Sequence, residues 1–174
     1  IDDDLLVTAG HCIGSQVECE SQRFVLGYLM ESNGLATITS EDVFSCRELV
    51  ATYDDGESDY AFVRLDRAPE PPRAAPAPVR RLATPLPQNE PLVLMGFPSG
   101  LPLKVDDGGF VSDPRANTND FFRGTIDSFG GNSGSGVFND LGQQVGILVR
   151  GEQDYVRNGR CMVVNELSID RGPG

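Results

Sequence analysis

The sequence of 174 residues has no tryptophan, one histidine and one lysine. It contains no apolar run near the roughly 18 residues that a membrane-spanning helix needs, so we expect no membrane insertion. Its 26 acidic residues outnumber 14 basic ones, which gives a formal net charge of −12 at pH 7. Nucleic-acid binding is disfavoured, because neutralising phosphates takes clustered cations and the longest basic run is the pair Arg80 and Arg81. The acidic balance is typical of plain solvation, with attraction of basic substrates as the alternative.

The four cysteines do not follow metal-binding or redox spacing; they are Cys12, Cys19, Cys46 and Cys161. The single histidine disfavours zinc, and no metal site is predicted. Disulfides in an exported protein are the better interpretation, and four cysteines permit three pairings. The chain opens with "IDDDLLVTAGHC", where an apolar strand is already under way, so we expect an upstream segment.

The abundance of glycine (20 residues) and proline (12 residues) suits short strands and turns. Short apolar runs rich in β-branched and aromatic residues recur between turn signals, and no amphipathic helix is evident. The predicted strands cover residues 5–9, 23–30, 35–39, 60–65, 91–97, 145–151 and 161–167. The predicted fold class is all-β.

Residues 68–91 hold eight of the twelve prolines. Proline cannot donate a hydrogen bond to a β-ladder, so this stretch is predicted to be an extended connector. It divides the chain into one β unit at residues 1–67 and a second at residues 92–174. A ligand site is expected in the cleft between the two units.

Two residues of the first unit are candidates for proton-transfer chemistry. His11 is the only histidine and therefore the only possible imidazole base. A lone histidine is more often structural, but His11 stands where an apolar strand gives way to a loop. Asp59 directly precedes the apolar strand at 60–65 and is placed to become buried. A buried carboxylate needs a partner, and an imidazole N–H would serve; the alternative is an aspartate that caps a turn.

The stretch "GGNSGSGVF" at residues 130–138 surrounds Ser133 with small residues. A serine nucleophile needs main-chain N–H groups aimed at the developing oxyanion, and Gly131 and Ser133 can supply them. A phosphate-binding loop fits less well, because no lysine follows and no helix opens. A disordered linker fits less well, because the apolar residues Val137 and Phe138 follow directly.

The order histidine, aspartate, serine is that of the chymotrypsin-type barrels. "LLVTAGHC" resembles the histidine motif of the trypsin-like serine proteases, "DYAFVRLDR" resembles their aspartate strand, and "GGNSGSGVFN" resembles their serine motif. Three motifs in this order, 48 and 74 residues apart, make the resemblance specific. The serine motif is most similar to that of bacterial members of the glutamyl endopeptidase type. The resemblance covers nearly the full chain and implies two antiparallel six-stranded Greek-key barrels, the first lacking its N-terminal strands, with the active site between them.

The resemblance implies a secreted or periplasmic bacterial serine endopeptidase that acts on protein or peptide substrates. Ser133 would be the acyl-forming nucleophile, His11 the base, and Asp59 the group that orients His11. The N–H groups of Gly131 and Ser133 would form the oxyanion hole. No metal and no organic cofactor is required. The alternative is a catalytically inactive protease-fold module that only binds its partner, and the sequence makes no prediction of oligomeric state.

In the family the cysteine beside the histidine bridges to an earlier strand, which leaves Cys12 without an evident partner here. Cys19 and Cys46 flank neighbouring strands of the first barrel, and we expect them to pair, with Cys161 unpaired. Asn132 stands where zymogens of the family carry an aspartate that pairs with a new N-terminus. Because asparagine is uncharged, activation by that route is not expected.

Substrate preference is predicted from two residues that precede Ser133 and from one wall segment that follows it. Asp127 and Ser128 stand where trypsin carries the aspartate and serine at the base of its specificity pocket, and a carboxylate there favours Arg or Lys at the cleavage site. One wall is expected at residues 148–151, where glutamyl endopeptidases use a histidine and this chain has Leu148. The wall residues are Leu148, Val149, Arg150 and Gly151. The alternatives are that Arg150 neutralises Asp127 or recognises an acidic substrate, and that Asp127 merely faces solvent.

Overall fold

The computed structural model describes residues 3–70, 75–81, 83–118 and 120–167. The strands are β1 (Leu5–Thr8), β2 (Arg23–Val25), β3 (Met30–Glu31), β4 (Gly34–Leu35), β5 (Val43–Asp54), β6 (Asp59–Leu65), β7 (Pro91–Gly96), β8 (Lys104–Asp113), β9 (Arg123–Gly124), β10 (Gly136–Phe138), β11 (Gln144–Ile147), β12 (Tyr155–Asn158) and β13 (Cys161–Val164). Within the same ranges there is one α-helix, α1 (Gln16–Ser21), together with 3₁₀ turns at Gly10–Cys12, Ser40–Asp42 and Pro98–Gly100. None of these helices has the length and apolarity needed to cross a membrane.

The first sheet has four antiparallel strands in the order β1-β6-β5-β2. Two register shifts interrupt the β5–β6 ladder, and such bulges increase the local twist of a sheet. The buried cluster beneath it consists of Ile13, Cys19, Cys46 and Val63. A disulfide joins Cys19 to Cys46 with their Cα atoms 5.3 Å apart, so that α1 is attached to β5. The predicted pairing is confirmed, and Cys12 and Cys161 are free and exposed.

The second sheet has five strands in the order β11-β10-β7-β8-β9. Its buried cluster consists of Leu86, Leu92, Leu94, Val111 and Val137. The described part of the predicted connector packs against this sheet. Val79 forms a parallel bridge with Gln144, and the N–H of Arg80 donates to the Gln144 carbonyl at 3.0 Å. Two further two-stranded ladders, β3–β4 and β12–β13, stand apart from both sheets.

The all-β prediction is confirmed, with two curled antiparallel half-barrels and one short helix among the described residues. The boundaries at residues 67/68 and 91/92 stay predictions. Residues 71–74 and 82 of the connector lie outside the described residues, as do residues 1–2, 119 and 168–174 of the two predicted β units.

The sequence pattern misses α1 and the strands β5, β8, β9, β10 and β12, and it overextends the strands predicted at 23–30, 35–39, 145–151 and 161–167. Strand β5 carries the charged pair Arg47 and Glu48, and β8 carries the run "DDGG", which hides the alternation expected of a strand. Helix α1 has only six residues and depends on its cap, since the Ser15 hydroxyl accepts the N–H of Glu18 at 3.2 Å. The strand predicted at 23–30 ends at Val25, two residues before Gly27, whose φ of 78° lies outside the extended region that strands use.

Candidate active site

Within the first half-barrel, Asp59 holds the ring of His11. The Nδ1 atom of His11 lies 2.7 Å from Oδ2 of Asp59, and the N–H of His11 donates to Oδ1 at 3.1 Å. The Asp59 side chain is 6% exposed and the His11 side chain 40% exposed. One nitrogen of the imidazole is therefore hydrogen-bonded to a buried carboxylate, while the ring remains exposed to solvent.

A glycine makes this geometry possible. A Cβ atom on Gly10 would overlap the carbonyl oxygen of Tyr53 and would lie 3.0 Å from that of Tyr60. The turn that carries His11 thus packs directly on the β5–β6 hairpin, and only glycine leaves room for that approach. Asp59 begins β6, so the same hairpin carries both the carboxylate and the surface on which the histidine turn rests.

The charge of Asp59 is fixed by these contacts. Burial raises the pKa of Asp59, but hydrogen bonds from the His11 ring, the His11 N–H and the Gly10 N–H lower it more, and the pKa lies below its usual value. An ionised carboxylate only accepts hydrogen bonds, so Nδ1 of His11 carries the proton and Nε2 is the free nitrogen. Burial and the charge of Asp59 raise the pKa of the neighbouring Cys12 thiol, which disfavours a thiolate nucleophile here.

Ser133 occupies a tight turn that is built around a buried asparagine. Asn132 is 3% exposed; its side-chain amide donates to the Ser128 hydroxyl at 2.8 Å and its carbonyl accepts from the Ser135 hydroxyl at 3.3 Å. The end of strand β7 packs directly against this turn, because a Cβ atom on Gly96 would overlap both Asn132 and Ser135.

The turn at residues 130–135, called the serine turn below, leaves two of its N–H groups without a hydrogen-bond acceptor among the described residues. The N–H of Gly130 donates to Asp154, that of Asn132 to Phe129 O, and that of Gly134 to Leu148 O. Within the described residues, the N–H groups of Gly131 and Ser133 have no acceptor, and both residues are exposed. Two free main-chain donors one residue apart, on a turn held by its other N–H groups, are able to donate to one negatively charged oxygen.

The two half-barrels meet beside these groups. A Cβ atom on Gly134 would overlap the Thr8 hydroxyl and lie 3.0 Å from the N–H nitrogen of Ala9, so the serine turn packs on the segment that leads into His11. Asp59 and Ser133 line one cavity of about 1250 Å³. In the described part of the chain, no hydrogen bond joins Ser133 to His11. The structure thus brings His11 and Asp59 into contact and sets Ser133 on the cavity that Asp59 lines.

The predicted specificity residues line this cavity as well. Asp127 is exposed, and its N–H donates to Asp106 Oδ2 at 2.9 Å. Leu148 pairs with the serine turn through its N–H to Ser135 O at 2.9 Å, and Val149 and Gly151 follow along the wall. The sequence motifs do not include Asp106. It lies 21 residues before Asp127, and only the fold brings the two residues together.

Arg150 does not contact Asp127. Its guanidinium donates instead to the carbonyl oxygens of Gly56 and Glu57, at 2.5 and 3.1 Å, in the turn before Asp59. No hydrogen bond from Arg150 to Asp127 exists in the structure as described, so neutralisation of Asp127 by Arg150 is not observed. In the same residues, no group of three or more histidine, cysteine or acidic side chains has the grouping that could hold a metal ion.

Comparisons with known proteins agree with this geometry. A search of curated proteins finds no match. Among solved structures, the chain is similar to the Rv3671c protease in its inactive form, at 17% identity and a TM-score of 0.52, covering 86% of this chain and 68% of that one. It is also similar to a serine-to-alanine mutant of Rv3671c from M. tuberculosis H37Rv, again an inactive form, at 19% identity and a TM-score of 0.50, covering 88% and 68%. At this identity the likeness shows the fold, and the expected chymotrypsin-type architecture is confirmed.

The family model described as "Trypsin-like peptidase domain" matches residues 1–147, which is most of the chain and includes all three motifs. Together with the contact between His11 and Asp59 and the cavity that Asp59 and Ser133 both line, this match establishes that the chain belongs to the trypsin-like peptidase family.

Proposed function

We propose that this protein is a serine endopeptidase in which Ser133 is the nucleophile, His11 the general base and Asp59 the residue that orients the base. The observation that carries the proposal is the 2.7 Å contact between His11 Nδ1 and Asp59 Oδ2, together with the fact that Asp59 and Ser133 line one cavity. It leaves Nε2 as the free nitrogen of the only histidine in the chain. The free N–H groups of Gly131 and Ser133 support the same assignment, because they suit a carbonyl oxygen that becomes negatively charged.

The reaction proceeds in two halves. The hydroxyl oxygen of Ser133 attacks the scissile carbonyl carbon while Nε2 of His11 takes the hydroxyl proton, and the oxyanion accepts hydrogen bonds from Gly131 and Ser133. The C–N bond then breaks as His11 returns that proton to the leaving amine, which leaves an acyl-enzyme. Water attacks the ester with His11 again as base, and Ser133 leaves with the proton. Asp59 stays ionised throughout and stabilises the imidazolium.

The experiment that tests this function is hydrolysis of a casein or fluorogenic peptide substrate by the wild type, Ser133→Ala and His11→Ala. We expect either substitution alone to lower kcat by several orders of magnitude, because the triad acts as a unit. The alternative, an inactive protease-fold module, predicts a folded wild type with no hydrolysis above either variant. That outcome would overturn the proposal.

We also propose that cleavage follows Arg or Lys. Asp127 and Asp106 place two carboxylates on the cavity wall, and neither makes a hydrogen bond or ion pair with a cationic side chain within the described residues. A guanidinium or ammonium group of the substrate would complete this arrangement. Cleavage of a peptide library by the wild type and by Asp127→Ser tests it. Preference for Glu or Asp in the wild type, or unchanged preference for Arg and Lys in the variant, contradicts it.

The Cys19–Cys46 disulfide supports a secreted or periplasmic location, because disulfides persist in oxidising compartments. The similarity of "GGNSGSGVFN" to the bacterial glutamyl endopeptidases is a similarity of motif only. We do not propose glutamyl specificity, since Leu148 occupies the wall position where those enzymes carry histidine.

A further inference from the structure

Arg150 links the two half-barrels at the edge of the site. It belongs to the wall segment that follows β11, and its guanidinium donates to Gly56 O at 2.5 Å and to Glu57 O at 3.1 Å. The acceptors lie more than 90 residues earlier in the chain, in the turn between β5 and β6. One side chain thus spans from the wall that faces the substrate to the loop that leads into Asp59.

The turn that receives Arg150 is internally hydrogen-bonded. The carboxylate of Asp55 accepts the N–H groups of Glu57 and Ser58 at 3.0 and 2.8 Å, and the Asp55 N–H donates to Ser58 O at 3.2 Å. These hydrogen bonds lower the pKa of Asp55 and keep it ionised. Asp59 follows at once, so a displacement of this turn is transmitted directly to the carboxylate that binds His11.

The other end of the link is anchored on the second half-barrel. The guanidinium carbon of Arg150 lies 5.8 Å from the ring centre of Phe121, which also carries Arg115 at 4.0 Å. Arg115 is fixed in turn by a bidentate ion pair with Asp120, at 3.0 and 2.9 Å. The wall segment itself is hydrogen-bonded to the serine turn, since the N–H of Gly134 donates to Leu148 O at 2.7 Å.

We propose that Arg150 is a positioning residue that holds the His11–Asp59 pair in register with Ser133; the inference rests on the proposed function. The pair and the nucleophile belong to different half-barrels, so their separation depends on contacts between the halves. A planar guanidinium donates to two carbonyls at once in fixed geometry, which an ammonium group cannot reproduce. Small displacements of catalytic groups are costly, and a misplacement of about 1 Å can lower a rate by about a hundredfold.

The test compares wild type, Arg150→Met and Arg150→Lys with the matched control Arg80→Met. Arg80 also donates two hydrogen bonds, at 2.9 and 3.3 Å, but both go to Thr84 within its own segment. We expect Arg150→Met to lower kcat about tenfold to a hundredfold with a much smaller change in KM, and Arg150→Lys to recover part of the loss. Millimolar methylguanidinium should partly restore kcat in Arg150→Met. A purely structural role would lower the folded fraction and leave the kcat of the folded protein and this rescue unchanged.

A second measurement does not depend on turnover. Because the chain has one histidine, its imidazole Nδ1 proton gives a single NMR signal, and we expect this proton to exchange faster with water in Arg150→Met than in Arg80→Met. Equal kcat and equal exchange in the two variants would overturn the inference while an active wild type upholds the proposed function. A wild type without hydrolysis would instead remove the proposed function, and the exchange rates alone would then decide whether Arg150 positions the pair.

Discussion

Asp59 accepts two hydrogen bonds from the same residue, one from Nδ1 of His11 at 2.7 Å and one from the main-chain N–H of His11 at 3.1 Å. The main-chain bond fixes the carboxylate relative to the backbone of the histidine turn, and the side-chain bond fixes the ring relative to the carboxylate. Tautomer and ring orientation are therefore set by one buried group. Removing its charge should disturb the base without removing the base.

We expect Asp59→Asn to lower kcat/KM by about three to four orders of magnitude, because an amide at this position can donate to Nδ1 and stabilise the wrong tautomer. Protein folding should be retained. The sole histidine makes the change visible by ¹⁵N NMR, where the protonated nitrogen should move from Nδ1 to Nε2. Unchanged kcat/KM together with an unchanged tautomer would show that Asp59 does not orient His11.

The pH dependence of stability should also reflect the ionised carboxylate of Asp59. The pKa of Asp59 lies below its ordinary value of 3.8 in the folded protein, so the ionised group stabilises the fold above that value and this stabilisation is lost as pH falls through the folded pKa. Urea unfolding of wild type and Asp59→Asn should therefore differ most above about pH 5. The difference should shrink as the pH falls below the ordinary pKa of 3.8 and through the lower folded pKa. A difference that grows on acidification would contradict the assigned direction.

Gly131 should be required for the oxyanion hole. Its φ is 95°, and a Cβ atom there would lie 2.9 Å from the N–H nitrogen of Ser99. Gly142 is a matched control, because its φ is 70° and a Cβ atom there meets nothing within 4 Å. Alanine should cost about 1–2 kcal/mol of stability at either position through left-handed strain, and more than that at Gly131 because of the close approach to Ser99. Only Gly131→Ala should also lower kcat, by about a hundredfold to a thousandfold; equal kcat values would exclude the Gly131 N–H from the site.

The disulfide should account for much of the stability of the first half-barrel. Cys19 and Cys46 are 0% and 5% exposed and are separated by 27 residues. Closing a loop of that length stabilises by roughly 3 kcal/mol in the chain-entropy model. Cys19→Ala should lower the urea midpoint strongly, whereas Cys161→Ala, which removes an exposed free thiol, should not. Equal midpoints for the two variants, or free thiols at both positions in non-reduced peptide maps, would contradict the bridge.

The sequence predicts the fold class and the proximity of His11 and Asp59 from motif and order, and the structure shows that contact. The catalytic roles of His11, Asp59 and Ser133 stay predictions. Strand β8 is missed, since its "DDGG" run has no alternation and its register is set by partners in β7. Asp106 and the Arg150 link are missed for a related reason. Their partners are 21 and more than 90 residues away, and only packing of the two sheets brings them together.

The most direct test of the central claim is the site of reaction with a fluorophosphonate, which phosphonylates only an activated serine. Intact mass spectrometry of the wild type should show one adduct per chain, and peptide mapping should place it on Ser133. Ser133→Ala should remain unlabelled, and His11→Ala should react far more slowly because no base activates the hydroxyl. A folded wild type that takes up no probe, or that takes it up at another residue, would contradict the account.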